Sequence, residues 1–185
     1  MSELLSMKKP IILKSETIAK TRLFEVEQLD LEFSNGVRVQ YERLRGSVRG
    51  AVLVVPLLDN DTVLLIREYG AGLHRYELGF PKGKIEGDEH ILDAANREIQ
   101  EEIGYASSKL EHINSITLAP GYIGATTHIV LARDLYESTA EGDEPEEIEV
   151  VPWRLSELEK LMSQDDFTEA RSIAALYMVR DLVSR

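Results

Sequence analysis

The stretch REIQEE, Arg97 to Glu102, crowds three glutamates onto one face of a segment that reads as helix. The helical pattern runs from Gly87 or Asp88 to Ile103, with Asp88 as the expected N-cap and Gly104 as the expected stop. Take Glu98 as zero and about 100° per residue: Glu102 then falls at about 40° and Glu101 at about −60°. On the same wheel Leu92, Ala95, Ile99 and Ile103 cluster at roughly 60–140°, an apolar stripe that must face a core. The acidic face therefore adjoins the packed interior. Like charges three or four apart on a helix cost roughly 0.2–0.5 kcal/mol per pair. The plain reading is a solvated acidic face with one Arg97–Glu101 pair. The three carboxylates, however, border the core stripe and no cation is interleaved among them. A hard divalent cation takes several oxygens and tends to work with phosphates. Such an ion would turn the repulsion into coordination. Glu89 and Arg97 lie about two turns apart on a flank where they can pair.

The rest of the chain mixes strands and helices. LFEVEQLDLEF (Leu23–Phe33) and VRVQYERL flank Ser34-Asn35-Gly36, a hairpin signal, so residues 10–45 read as a small antiparallel sheet. A sheet of that size needs support from its own body or from a second subunit. AVLVVPLL and TVLLIREY read as apolar strands split by a turn at Asp59-Asn60-Asp61, and RYELGF as a further strand. HINSITLAP and HIVLARDLY read as strands around the loop PGYIGAT. An acidic loop, Glu137 to Glu149, leads into IEVVPW. Ser156 with Glu159 reads as a capping box opening a short helix, and TEARSIAALYMVRDLV as a closing helix. Without strict βαβ alternation this is α+β or a mixed α/β sandwich. Residues 1–47 form the expected N-terminal sheet and 48–185 the main domain.

Charge narrows the function. The net charge is −12, but residues 1–50 carry +2 and the remainder −14. An acidic body disfavours a nucleic-acid groove, RNA decapping included. It can still bind a phosphate compound through divalent cations. The chain has no cysteine, which fits a reducing compartment, and its longest apolar run is Ala51–Leu58, far too short for a bilayer span. The first residues lack the pattern of a secretory leader. A soluble, cytoplasmic protein is the expectation.

The longer stretch GKIEGDEHILDAANREIQEEIGY, Gly83–Tyr105, carries a specific spacing. Gly83 is followed by five residues and Glu89, then seven more and Arg97-Glu98-Ile99, then Glu101-Glu102 and Gly104-Tyr105. This resembles the signature of the Nudix hydrolase superfamily at each of its fixed positions. The resemblance implies a Nudix fold, a mixed sheet sandwiched between helices, and hydrolysis of a nucleoside diphosphate linked to another group. It implies Mg²⁺, with Mn²⁺ as the alternative ion. Glu98 and Glu102 would be the principal metal ligands, with Glu101 close by and the carbonyl of Lys82 adding a further oxygen. Arg97 and Glu89 would brace the helix, and Gly83 and Gly104 would serve its loops.

Pro120, sixteen residues past Gly104 within APGY, resembles the ADP-ribose pyrophosphatase group of the superfamily. So do the N-terminal strands, which in that group pair between subunits and imply a homodimer. LIREY, YELGF, EGDEPE and FTEARSIAALYMVRDLV extend the likeness to a branch acting on ADP-linked compounds. The implied substrates are ADP-ribose, diadenosine polyphosphates and NADH, with AMP released where the geometry allows. A general base in this group comes from a late loop, here EGDEPEEIEV. Glu144 and Glu146 are the candidates, and Glu101 of the signature helix is the alternative. Arg45 is the expected phosphate contact. Arg67 is expected to pair with Glu77 or with phosphate, and Glu77 to contact substrate or support the fold. Tyr76 and Tyr122 read as edge packing or as surfaces for adenine, and the histidines are assigned no role. A nucleotide-sugar pyrophosphatase or a non-catalytic nucleotide sensor are the competing functions. The intact signature glutamates disfavour the sensor.

Overall fold

In the computed structural model, residues 8–46, 49–142 and 144–183 are described. Residues 1–7, the expected boundary at 47/48, Asp143 of the acidic loop and residues 184–185 lie outside them. The chain divides into two compact units, Met1–Ser47 with Ala119–Ala125, and Val48–Leu118 with Thr126–Arg185.

The first unit is an antiparallel sheet of β1 (Ile11–Lys20), β2 (Glu25–Glu32) and β3 (Arg38–Leu44), in the order β1-β2-β3. Its β2–β3 turn falls where Asn35-Gly36 predicts it. Phe33 N–H donates to Val37 O (2.9 Å), and Val37 N–H to the Asn35 side chain (3.0 Å). Residues 119–125, read as a loop between two later strands, join this unit. Leu44 N–H donates to Tyr122 O (2.8 Å), and Gly124 N–H to Leu44 O (3.2 Å).

The second unit holds two sheets. One has the order β7-β4-β9-β8, built from β4 (Ala51–Pro56), β7 (Lys82–Lys84), β8 (Tyr105–Thr117) and β9 (Thr126–Glu137). The other has the order β10-β5-β6, from β5 (Thr62–Gly70), β6 (Arg75–Gly79) and β10 (Glu149–Arg154). The β4–β9 pairing is parallel and its neighbours antiparallel, so the sheet is mixed. The unbroken apolar run at β4 follows from burial on both faces. Leu53 and Val55 pack with Phe80, Ile129, Leu161 and Leu176, toward α2 (Leu158–Met162) and α3 (Ala170–Val183). Val52 and Val54 pack with Val130, Ala95 and Ile99, toward α1 (Ile91–Ile103). This is an α+β sandwich, a mixed sheet between helices, as the resemblance of the signature implies.

Three local expectations need correction. The signature helix begins at Ile91, and its N-cap is His90, whose ring nitrogen accepts the Leu92 N–H (3.4 Å). The chain cannot start the helix at Gly87, because that residue has φ +43°. The Asp88 carboxylate is paired instead with Arg49 (2.7 Å). Ser156 does not cap a helix. Its N–H and hydroxyl both donate to Asp61 (2.8 Å each), a residue 95 positions earlier, and a 3-10 turn at Leu155–Glu157 precedes α2. Finally, β8 starts at Tyr105, directly after the helix, well before the expected His112. Among the described residues no helix is long and apolar enough to cross a membrane.

Candidate active site

The acidic helix face looks onto the short strand β7. Ala94, Ala95, Ile99 and Ile103 are buried in the core, and Glu98 and Glu102, one turn apart, are drawn in beside them at 7% and 8% exposure. Facing them is Lys82-Gly83. A β-carbon on Gly83 would stand 2.0–2.2 Å from the atoms of the Glu98 carboxylate. No side chain other than hydrogen leaves Glu98 its place, so close approach is what requires glycine here. The Lys82 N–H donates to Glu102 Oε2 (2.9 Å), and the Lys82 ammonium donates to Glu68 Oε2 (2.6 Å).

Arg97 ties the cluster together. Its Nε and Nη2 fork onto the Glu89 carboxylate (3.2 and 2.9 Å), and Nη2 also donates to Lys84 O (2.9 Å). Its Nη1 donates to Glu101 Oε2 (2.9 Å) and stands 2.8 Å from Glu98 Oε1. Glu89 accepts in addition the Glu86 N–H (2.6 Å), so the loop before the helix is pinned to it. The helix then ends at Gly104, which takes φ +73° and returns its N–H to Ile99 O. The expected Glu89–Arg97 and Arg97–Glu101 contacts are both present. The Glu98 contact was not anticipated.

Burial shapes the electrostatics. Desolvation raises the Glu98 carboxyl above its ordinary value, against the lowering effect of Arg97. Desolvation pushes Glu102 up to about 8, with Lys82 opposing and Glu98 and Glu68 adding to the rise. Arg97 is held still more firmly in its charged form, chiefly by its hydrogen bond to Glu89. That same bond lowers Glu89. Among the described residues no three acidic or histidine side chains already converge as a metal shell. Glu98 and Glu101 turn to Arg97, and Glu102 to the Lys82 N–H. The donor set nonetheless fits a hard divalent cation. It consists of carboxylate oxygens only, two of them desolvated, in a place that the missing Gly83 side chain keeps open.

Two clefts open on this cluster. One of about 560 Å³ is lined by Lys82, Gly83, Arg97, Glu98, Glu101, Glu102 and, from the acidic loop, Glu144. The other, about 320 Å³, shares Glu98, Glu101, Glu102 and Glu144 and adds Glu146. Both loop glutamates thus come to the signature helix. Volumes of this size suit a small-molecule site.

The remaining candidates lie elsewhere. Arg67 does not pair with Glu77. It pairs with Glu149 of β10 (2.8 Å) and with Asp166, because the register sets Arg67 opposite Glu149 on β10, whereas on β6 it sets Arg67 opposite Leu78 and Glu77 opposite Glu68. Glu77 pairs with Arg75 and accepts the Thr168 hydroxyl (2.8 Å). Neither lines the two clefts. Arg45 belongs to the N-terminal sheet, where it pairs with Glu25 (3.1 Å) and Glu27 (3.9 Å). Sequence reasoning missed Glu68 and the Lys82 side chain. Their 14-residue separation carries no periodic signal, and only the folding of β5 and β7 joins them.

A helix that buries two glutamates against a glycine strand, braced by an arginine fork, defines the Nudix class of hydrolases. Residues 48–177 match the NUDIX domain, and residues 10–43 match the NudE-type Nudix hydrolase N-terminal domain. The chain belongs to the Nudix family and is a Nudix pyrophosphohydrolase. More particularly, it is 48% identical to the ADP compounds hydrolase NudE of Escherichia coli (strain K12), over 95% of this chain and 94% of that protein. It is 30% identical to the ADP-ribose pyrophosphatase of Bacillus subtilis (strain 168), over 89% of this chain and 91% of that one. A crystal structure of an ADP compounds hydrolase superposes with a TM-score of 0.91 at 47% identity, covering 97% of this chain and 96% of that one.

Proposed function

We propose that the protein hydrolyses the pyrophosphate of ADP-linked compounds in a Mg²⁺-dependent reaction. ADP-ribose, diadenosine polyphosphates and NADH are the substrates, and AMP is a product where the geometry allows. The observation that carries this reading is the pair of buried carboxylates, Glu98 and Glu102, held against Gly83 with their desolvation offset only in part by Arg97, by the Lys82 charge and by the Lys82 N–H. The relatives named above support the substrate class through what their names say of them.

Glu98 and Glu102 would hold the metal, with Glu101 beside it and the Lys82 carbonyl as a further oxygen. When bound, Mg²⁺ supplies charge neutralisation at the phosphates and a more acidic water. Arg97 fixes where Glu98 and Glu101 point, through the contacts given above. Glu144 or Glu146, brought to the cleft by the acidic loop, takes the proton of the attacking water. With Mg²⁺ and ADP-ribose, the purified protein is expected to release AMP, and excess chelator to abolish the release. Diadenosine polyphosphates and NADH form parallel arms. Faster turnover of UDP- or GDP-sugars than of any ADP compound would replace this reading with a nucleotide-sugar pyrophosphatase. Tight nucleotide binding without turnover would make the protein a sensor.

The N-terminal sheet supports a homodimer. Strand β1 is exposed along its whole length, and Ile11, Ile12, Leu13 and Ile18 are 46–63% exposed on it. A three-stranded sheet with an apolar edge strand is a template for a second copy. Sedimentation equilibrium is expected to return twice the mass of one chain, and Ile12→Asp to shift the population toward monomer. A monomer at micromolar concentration would overturn the dimer.

A further inference from the structure

The acidic loop between β9 and β10 is fastened at both ends. At its start Ser138 N–H donates to Gly104 O (3.0 Å), the Ser138 hydroxyl to the Gln100 side chain (3.0 Å), and Ala140 N–H to Gln100 O (3.1 Å). At its end Glu149 enters β10 opposite Arg67 and is ion-paired to it (2.8 Å). Between these points a side chain from a distant strand reaches the loop. The Tyr76 hydroxyl on β6 donates to Glu146 Oε1 at 2.6 Å, across 70 residues of sequence.

Tyr76 is itself braced. Its ring meets the edge of Tyr69 (centroids 5.7 Å apart, 66° between planes). Tyr69 in turn is hydrogen-bonded to His74 Nδ1 (2.5 Å) and packs edge-on against that ring (5.9 Å). His74 sits in the β5–β6 turn with φ +54°, its N–H on Gly70 O (2.8 Å). A single exposed hydrogen bond contributes little to stability. A phenol whose ring already packs on Tyr69 loses less freedom in making it, so the contact fixes position more than it adds stability. Glu146, the residue so fixed, lines the same 320 Å³ cleft as Glu98, Glu101 and Glu102.

We propose that Tyr76 is a positioning residue of the hydrolysis reaction, acting through Glu146, which it holds over the glutamate-lined cleft as the base. This rests on the pyrophosphatase reading above. In the step, the water oxygen bonds to phosphorus, the bridging P–O bond breaks with its electrons leaving on the phosphate, and the water proton passes to Glu146. A carboxylate with one oxygen on a phenol keeps lone pairs on the other for that proton. The hydrogen bond to Glu146 also pushes the Tyr76 hydroxyl above its ordinary pKa, so it remains a donor at neutral pH.

The test places Tyr76→Phe in the full chain alone and in Glu146→Gln and Glu144→Gln backgrounds, with ADP-ribose and Mg²⁺. Tyr76→Phe alone is expected to lower kcat about tenfold with KM within about twofold, since Tyr76 acts on the base and not on binding. In the Glu146→Gln background it should cost nothing further, and in the Glu144→Gln background about tenfold again. Equal losses in both backgrounds, or no loss in the parent, would overturn the proposal. Amide exchange of the segment 144–149 supplies a readout that needs no turnover. About tenfold faster exchange in Tyr76→Phe supports the tie even if ADP-ribose proves not to be a substrate, and unchanged exchange overturns it.

Discussion

Glu102→Gln lowers AMP release from ADP-ribose by about 10³-fold, equivalent to about 4 kcal/mol of lost transition-state stabilisation. Glutamine keeps an oxygen for the Lys82 N–H but has no charge to offer a cation. The same substitution raises the stability of the chelated protein far more at pH 8 than at pH 5. The reason is the buried site. Desolvation holds the Glu102 carboxyl at about 8, against an ordinary value of 4.5. Below pH 4.5 the group is protonated in the folded and unfolded chain alike and contributes nothing. Between those values the unfolded chain releases the proton and the folded chain keeps it. Folding stability therefore falls as pH rises, by up to about 1.4 kcal/mol per pH unit, and levels off above the folded value. Urea denaturation of parent and variant at both pH values, with chelator and with saturating Mg²⁺, reads both effects. A parent–variant difference equal at pH 5 and pH 8 in chelator would mean that burial is not what raises this carboxyl.

Arg97→Ala destabilises the protein by about 3 kcal/mol and abolishes most activity. One guanidinium contacts Glu89, Glu98, Glu101 and the Lys84 carbonyl, and its removal leaves three part-buried or buried carboxylates without their cation. Arg97→Lys keeps the charge but loses the fork onto Glu89 and its shared bond to Lys84 O, so it should recover only part of the stability and less of the activity. Mg²⁺ should restore more stability to the variants than it adds to the parent, because it would relieve the same repulsion. Denaturation at pH 7 with and without Mg²⁺ measures this. An Arg97→Lys variant as active as the parent would reduce Arg97 to a counter-charge and remove its role in aiming the glutamates.

Local periodicity is enough to place the glutamate helix. The positions of Glu98, Glu101 and Glu102 relative to Ala95, Ile99 and Ile103 are set by a repeat of 3.6 residues, and the core stripe and its acidic border appear where that repeat puts them. The Gly104 stop and the Asn35-Gly36 turn are likewise local, since each depends on a backbone conformation spanning a few residues. Helix starts were less legible. Asp88 and Ser156 are good caps by type, but each spends its side chain or backbone on a partner many residues away, Arg49 in one case and Asp61 in the other.

What the sequence by itself determined is the class of chemistry. The spacing from Gly83 to Tyr105 specifies a Nudix signature, and the three crowded glutamates raise the expectation of a divalent cation among them. Only the tertiary structure decided how deeply Glu98 and Glu102 are buried, that Lys82 bridges toward Glu68, and that Arg67 serves β10 and not Glu77. It also decided that residues 119–125 join the N-terminal sheet and that Tyr76 meets Glu146. Each of these depends on which strands become neighbours, and strand pairing joins residues tens of positions apart by closing loops. No repeat in the chain records that closure. Burial has the same origin: the Glu102 carboxyl is raised because β7 and the core close over it, not because of the residues on either side.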